Sequence, residues 1–159
     1  MKITILSVGK IKEKYFQEAI AEYSKRLSRY CDLTIVEVDD EKTPDGASKH
    51  EEDLIRAKEA ERLRKHIPDG AYVVATAIAG KELTSVEFSE GIGNLGVNGV
   101  SHIVFLIGGS IGLDMDLLAE ADDRISFSRM TFPHQLMRVV LLEQIYRAFR
   151  ILKGEPYHK

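Results

Sequence analysis

The chain has 159 residues, 44% of them hydrophobic, and a net charge of −3. That length fits one domain, 1–159, whose core needs no metal or disulfide, and the lone Cys31 excludes an internal disulfide and a zinc-type cluster. No stretch approaches the roughly 20 apolar residues of a membrane span, and the run Met1 to Val8 lacks the pattern of a signal peptide, so a cytoplasmic protein with no membrane partner is expected.

Lys2 to Val8 is rich in Ile and Val and reads as a strand closed by Gly9. From Glu13 to Tyr30, apolar Phe16, Ala19, Ile20, Tyr23 and Leu27 recur at helical spacing. Leu33 to Val38 is a second strand, followed by a polar loop over Asp39 to Ala47. Ser48, with Glu51 three residues on, predicts a capping box and a helix to about His66, before Pro68, Asp69 and Gly70. Ala71 to Ala79 is a buried strand ended by Gly80 and Lys81. Ser85 to Leu95 is a helix weakened by Gly91 and Gly93. His102 to Ile107 is another buried strand, and Asp114 to Ala121 a short helix. Arg124 to Ser128 is a last strand, and a loop with Pro133 leads into a long helix over Gln135 to Lys153. Strands alternate with helices throughout, which predicts an α/β domain with a mainly parallel sheet.

Four features carry chemistry. The run HIVFLIGGSIGLD, 102–114, takes a buried strand into a glycine-rich turn whose amides suit a carboxylate, a phosphate or an adenine edge. Its G-G-x-x-G spacing departs from the dinucleotide fingerprint, and no acidic residue ends a strand about 20 residues on; a plain tight turn is the structural alternative. The run ISFSRMTFPHQLMR, 125–138, leaves a strand end where parallel sheets bind ligands. Ser128 and Thr131 offer polar contacts, while Phe127, Met130 and Phe132 either wall a ligand or belong to the core. The long helix is apolar nearly all round, so a second subunit is expected to cover part of it and make a homodimer. Along that helix Glu143 and Arg147 sit at pairing distance. The tail Tyr157, His158 and Lys159 combines an aromatic ring, an imidazole and an ammonium, a set suited to stacking on a base and touching phosphate. Charge agrees with a polyanionic partner: residues 1–30 sum to +4, 31–123 to −12 and 124–159 to +5.

The start KITILSVGKIKEKYFQEAIAEYSKRL, the turn IGGSIGL, the segment SFSRMTFPHQLMRVVLLEQIYRAF and the end GEPYHK resemble the SPOUT superfamily of methyltransferases, over the whole chain. The resemblance implies a parallel sheet with helices on both faces and a C-terminal trefoil knot, and a homodimer. It implies S-adenosylmethionine as cofactor, and methylation of N3 of a pseudouridine in 23S ribosomal RNA on the assembled ribosome. By position it implies that Thr76, Gly108, Phe127, Ser128, Arg129, Met130, Thr131 and Phe132 line the donor site.

The N3 of such a base carries a proton and needs a general base, or a cation for the developing anion. His134 and His158 are candidates for the base, Arg138 for the cation and Tyr157 for stacking on the ring; no metal is expected. Two other classes stand beside this one. A nucleotide-binding oxidoreductase would hold a nicotinamide dinucleotide, and a non-catalytic ribosome-binding factor would associate with ribosomes without transferring methyl.

Overall fold

A computed structural model describes residues 1–159. Its elements in chain order are β1 (Lys2–Val8), α1 (Lys14–Leu27), β2 (Asp32–Val38), α2 (Lys49–Arg64), β3 (Tyr72–Glu82), α3 (Ser85–Val97), β4 (His102–Ile107), α4 (Met115–Glu120), β5 (Asp123–Ser126) and α5 (His134–Leu152). All strand pairs are parallel, in the order β2-β1-β4-β3-β5.

Alternation along the central strands divides the core in two. In β4, Ile103, Phe105 and Ile107 enter the apolar cluster built with α1, α3 and α5, whereas Val104 and Leu106 enter the cluster built with α2 and α4. β1 splits the same way, with Ile3 and Ile5 on one side and Leu6 and Val8 on the other. Helices therefore cover both faces, and this is why β4 reads as an unbroken hydrophobic run after His102 and β1 as one interrupted only by the buried Thr4 and Ser7. On the first face α5 buries Leu141, Leu142 and Ile145 completely, each contributing about 1.5–3 kcal/mol.

The capping signals are resolved in detail. Ser48 accepts the Glu51 amide at 3.1 Å, as its spacing suggests, but the Glu51 side chain bonds the Ser48 hydroxyl rather than its amide. The reciprocal box forms instead at Thr84 and Glu87, and it starts α3 firmly despite the three glycines inside the helix, Gly91, Gly93 and Gly96. Glu143 and Arg147 pair at 2.7 Å along α5.

Two strands differ from the sequence reading. β3 runs past Gly80 and Lys81 to Glu82, because it leaves the β5 ladder after Thr76 and rejoins it at Lys81. Gly80 allows that return: a Cβ there would lie 2.5 Å from the carbonyl carbon of Ile125. β5 in turn stops at Ser126, two residues short of the expected end, since Ser128 is drawn into a turn by its own hydroxyl. The first helix is also shorter than Glu13 to Tyr30, ending at Leu27.

Candidate active site

The carboxyl ends of β4, β3 and β5 lie next to one another in the sheet, the edge at which open parallel sheets bind ligands. A cavity of about 1070 Å3 opens there. Its walls are Thr76 and the stretch 77–79 that leaves the β5 ladder after it, the glycine turn after β4, the segment after β5, and the first turn of α5. Another hollow, about 830 Å3, lies beside Cys31 and Met1 at the opposite edge of the sheet.

Each wall follows from local sequence. At Gly108 a Cβ would sit 2.6 Å from the carbonyl carbon of Gly112, so only glycine lets the turn fold back on itself. The Gly112 amide closes the turn on the Gly109 carbonyl at 3.1 Å, and the amides of Ser110 and Ile111 at its tip have no backbone acceptor. These are free donors for a ligand. After β5, the Ser128 hydroxyl accepts the Met130 amide at 2.9 Å, and the Ser128 carbonyl accepts the Ser126 hydroxyl at 3.0 Å. Pro133 then caps α5 from an extended backbone (φ −55°, ψ 142°). Ile78, Ile111, Leu118 and Met137 supply apolar wall, and Ser110, Ser128 and Thr131 polar edge. That mixture suits a heteroaromatic ring carrying polar groups.

His134 is the titratable side chain that α5 brings to the cavity. Its Nδ1 lies 3.3 Å from the Arg138 guanidinium. Burial lowers its pKa below the ordinary 6.5, and the neighbouring Arg138 charge adds to the effect. The ring is therefore neutral at physiological pH. Arg138 itself is 1% exposed; it is paired with Glu37 and donates to the carbonyls of Val8 at 3.1 Å and Gly9 at 2.5 Å.

A family model described as predicted SPOUT methyltransferase matches residues 1–158. The chain belongs to the SPOUT methyltransferase family. It is 64% identical to a protein of Bifidobacterium adolescentis named ribosomal RNA large subunit methyltransferase H, over the full length of both chains. A protein of the same name from Clostridium kluyveri is 60% identical, again over both full lengths. Among solved structures, a probable methylase family protein from Haemophilus influenzae superposes with a TM-score of 0.57 at 14% identity, covering 99% of this chain and 70% of that one. This last likeness concerns the fold alone.

Within the SPOUT frame, Thr76, Gly108, Phe127, Ser128, Met130, Thr131 and Phe132 all line the cavity, together with His134. Their contributions differ. The Thr76 hydroxyl is spent on the Leu106 carbonyl at 2.9 Å, tying β3 to β4. Phe127 is shared with the core, its ring edge-on to Phe88 at 6.3 Å. Met130 is 74% exposed and forms rim rather than wall. Arg129 is not among the lining residues; its side chain is 91% exposed beside Glu82.

The other candidate catalytic residues are dispersed. Arg138, expected as the cation, lies beneath His134 and outside the lining, because its guanidinium is turned to Glu37 and to the buried carbonyls of Val8 and Gly9. Tyr157 and His158 do not line this cavity. Tyr157 stands edge-on to Tyr146 at 5.0 Å, donates to Glu143 at 2.9 Å and lies under the Arg147 guanidinium at 4.6 Å. His158 Nδ1 lies 3.2 Å from Arg147. Residues 77–79 and Met137 were missed by sequence reasoning. Nothing in an apolar strand signals that part of it leaves its ladder, and Met137 reads as one more core position of an apolar helix.

Proposed function

We propose that this chain methylates N3 of a pseudouridine in 23S ribosomal RNA, using S-adenosylmethionine, on the assembled ribosome and as a homodimer in the cytoplasm. The observation that carries this reading is the convergence of three strand ends on one cavity walled by the glycine turn and the 126–133 segment. The full-length relatives named as large-subunit ribosomal RNA methyltransferases support the substrate class.

The cavity fits the donor. Its volume, about 1070 Å3, lies just above the roughly 300–1,000 Å3 usual for small-molecule pockets and leaves room for the whole donor. Gly108 lets the turn fold back on the Gly112 backbone, which any Cβ would meet, and the amides of Ser110 and Ile111 at its tip have no backbone acceptor. Gly108, Ser110 and Ile111 would hold polar edges, Ile78, Leu118, Met137 and Phe127 an adenine ring, and Ser128 and Thr131 the remaining polar groups. When bound, S-adenosylmethionine supplies a methyl group on a sulfonium, which a nitrogen lone pair can attack. The chain's part is to hold the base in line and to exclude competing water; such positioning accounts for much of the rate in a displacement.

We further read the C-terminal third as a trefoil knot. In support, the chain passes from β4 over β3 to reach the sheet edge as β5, and Gly80 meets the Ile125 backbone closely enough to exclude a side chain. Tyr157 and His158 would act on the cavity of a partner subunit, the tail lying apart from its own. Tyr157 stacks on the base and His158 lies against phosphate. Incubation with labelled S-adenosylmethionine and either ribosomes or free RNA tests the reading. Label in large-subunit RNA of ribosomes is expected; ribosome association without label, or retention of a nicotinamide dinucleotide in place of the methyl donor, would refute it.

A further inference from the structure

The contact between Arg138 and Nδ1 of His134 fixes more than a distance. A guanidinium has five donors and no acceptor. Nδ1 is therefore the acceptor, with its lone pair engaged. A neutral imidazole whose Nδ1 lacks hydrogen carries its one proton on Nε2. The lock is built from several sides. The guanidinium is paired with Glu37 and also donates to the carbonyls of Val8 and Gly9, so turning it away from His134 would break contacts inside the core. On the other side of the ring, Gly9 has no side chain, and a Cβ there would lie 2.9 Å from Cε1 of His134. Nε2 makes no hydrogen bond within the chain and is not sealed in the core, and His134 lines the cavity.

We propose that Arg138 is a positioning residue that holds His134 as its Nε2–H tautomer, so that His134 donates a hydrogen bond to a carbonyl oxygen of an imide base instead of removing the proton from its nitrogen. The proposal rests on the methyl-transfer reading above and assigns the role of one residue within it. Loss of the N3 proton spreads negative charge over N3 and the flanking carbonyl oxygens, and a fixed N–H donor stabilises that charge where it develops. The proton goes to a hydroxide ion of the solvent, giving water, since the one lone pair of His134 is already engaged by Arg138. Four charged groups face the ring: Arg138 of α5, Glu37 of β2, Asp40 after β2 and Glu13 before α1. The three carboxylates favour the imidazolium; burial and Arg138 oppose it and prevail.

Long-range proton–nitrogen correlation spectra of the histidine-labelled protein test the tautomer without any ligand, with His134 assigned by its absence in His134→Gln. The wild-type ring is expected to show the Nε2–H pattern at pH 7 and to keep it at a pH below the ordinary histidine pKa of about 6.5. In Arg138→Met the tautomers are expected to mix. If that variant does not fold, the wild-type spectrum alone decides, and an Nδ1–H ring or an imidazolium at pH 7 overturns the proposal. In single-turnover methylation, His134→Gln keeps an N–H donor but has no basic nitrogen, and is expected to retain at least tenfold more activity than His134→Ala. Equal loss in the two variants, or a wild-type rate that levels off just above pH 6.5, points to a base and overturns the donor role. Absence of methyl transfer by the wild-type protein at every pH would refute the methyl-transfer reading, while the spectrum still decides the tautomer.

Discussion

Arg138 of α5 and Glu37 of β2, 101 positions apart in sequence, form an ion pair in which the guanidinium is 1% exposed and the carboxylate 34%. The same carboxylate accepts the Ile11 amide at 3.0 Å. One acidic side chain thus holds both the segment before α1 and the cation beneath His134.

Removing Glu37 leaves Arg138 buried without its counter-charge, a change that costs about 3–5 kcal/mol in a closed interior. Partial exposure of Glu37 puts Glu37→Ala at the lower end, about 3 kcal/mol, or a fall of about 6–12 °C in melting temperature for a chain of this size. Glu37→Gln keeps an acceptor for Ile11 and should lose less. Thermal unfolding followed by circular dichroism measures both.

Gly108→Ala should weaken S-adenosylmethionine binding by at least about tenfold, since the added Cβ meets backbone and not a flexible side chain. Titration calorimetry reads the affinity, and an unchanged far-ultraviolet spectrum shows that the sheet survives. Gly80→Ala is a contrasting case. Its Cβ strikes the backbone of Ile125 within the β3–β5 pair, so the melting temperature should fall along with donor binding.

Glu59 is 4% exposed, and one of its oxygens, Oε1, has no partner. Burial raises its pKa above the ordinary 4.5. The folded state therefore binds the proton more tightly than the unfolded chain. Wild-type stability from this group is present below pH 4.5 and is lost as pH rises through the raised value. Glu59→Gln removes that dependence and keeps an acceptor for the Glu41 amide, which Glu59 binds at 3.0 Å. The melting-temperature difference, variant minus wild type, should be small near pH 4.5 and grow in favour of the variant toward pH 8. A difference that does not change with pH would mean that Glu59 titrates normally.

Deleting residues 157–159 removes the Tyr157 bond to Glu143 and the His158 contact with Arg147, but no wall of the cavity. Donor binding should persist while methylation of ribosomes is abolished. Analytical ultracentrifugation should find the full chain as a dimer at micromolar concentration.

Much of the fold was legible because strong local signals and the tertiary structure agree. His102–Ile107 reads as a buried strand, and it is one, since its neighbours in the sheet and the helices on both faces remove every residue after His102 from water. The ends of elements were less legible where long-range contacts overrule local chemistry. Gly80 reads as a stop but is the point at which β3 returns to β5, because Ile125 comes to lie against it. The strand-end cavity was legible from two glycine- and serine-bearing segments that follow β4 and β5. The burial of Arg138 was not: an arginine in a helix looks like a surface cation, and its partners Val8, Gly9 and Glu37 lie more than 100 residues earlier.

The turn at 108–112 and the segment at 127–132 line one cavity, the space proposed to hold the methyl donor. A crystal structure of the protein with S-adenosylmethionine tests this most directly. The adenosine is predicted between those two stretches, with its polar edges on the Ser110 and Ile111 amides. Donor density at the Cys31 hollow, or an empty strand-end cavity in a crystal saturated with donor, would contradict it.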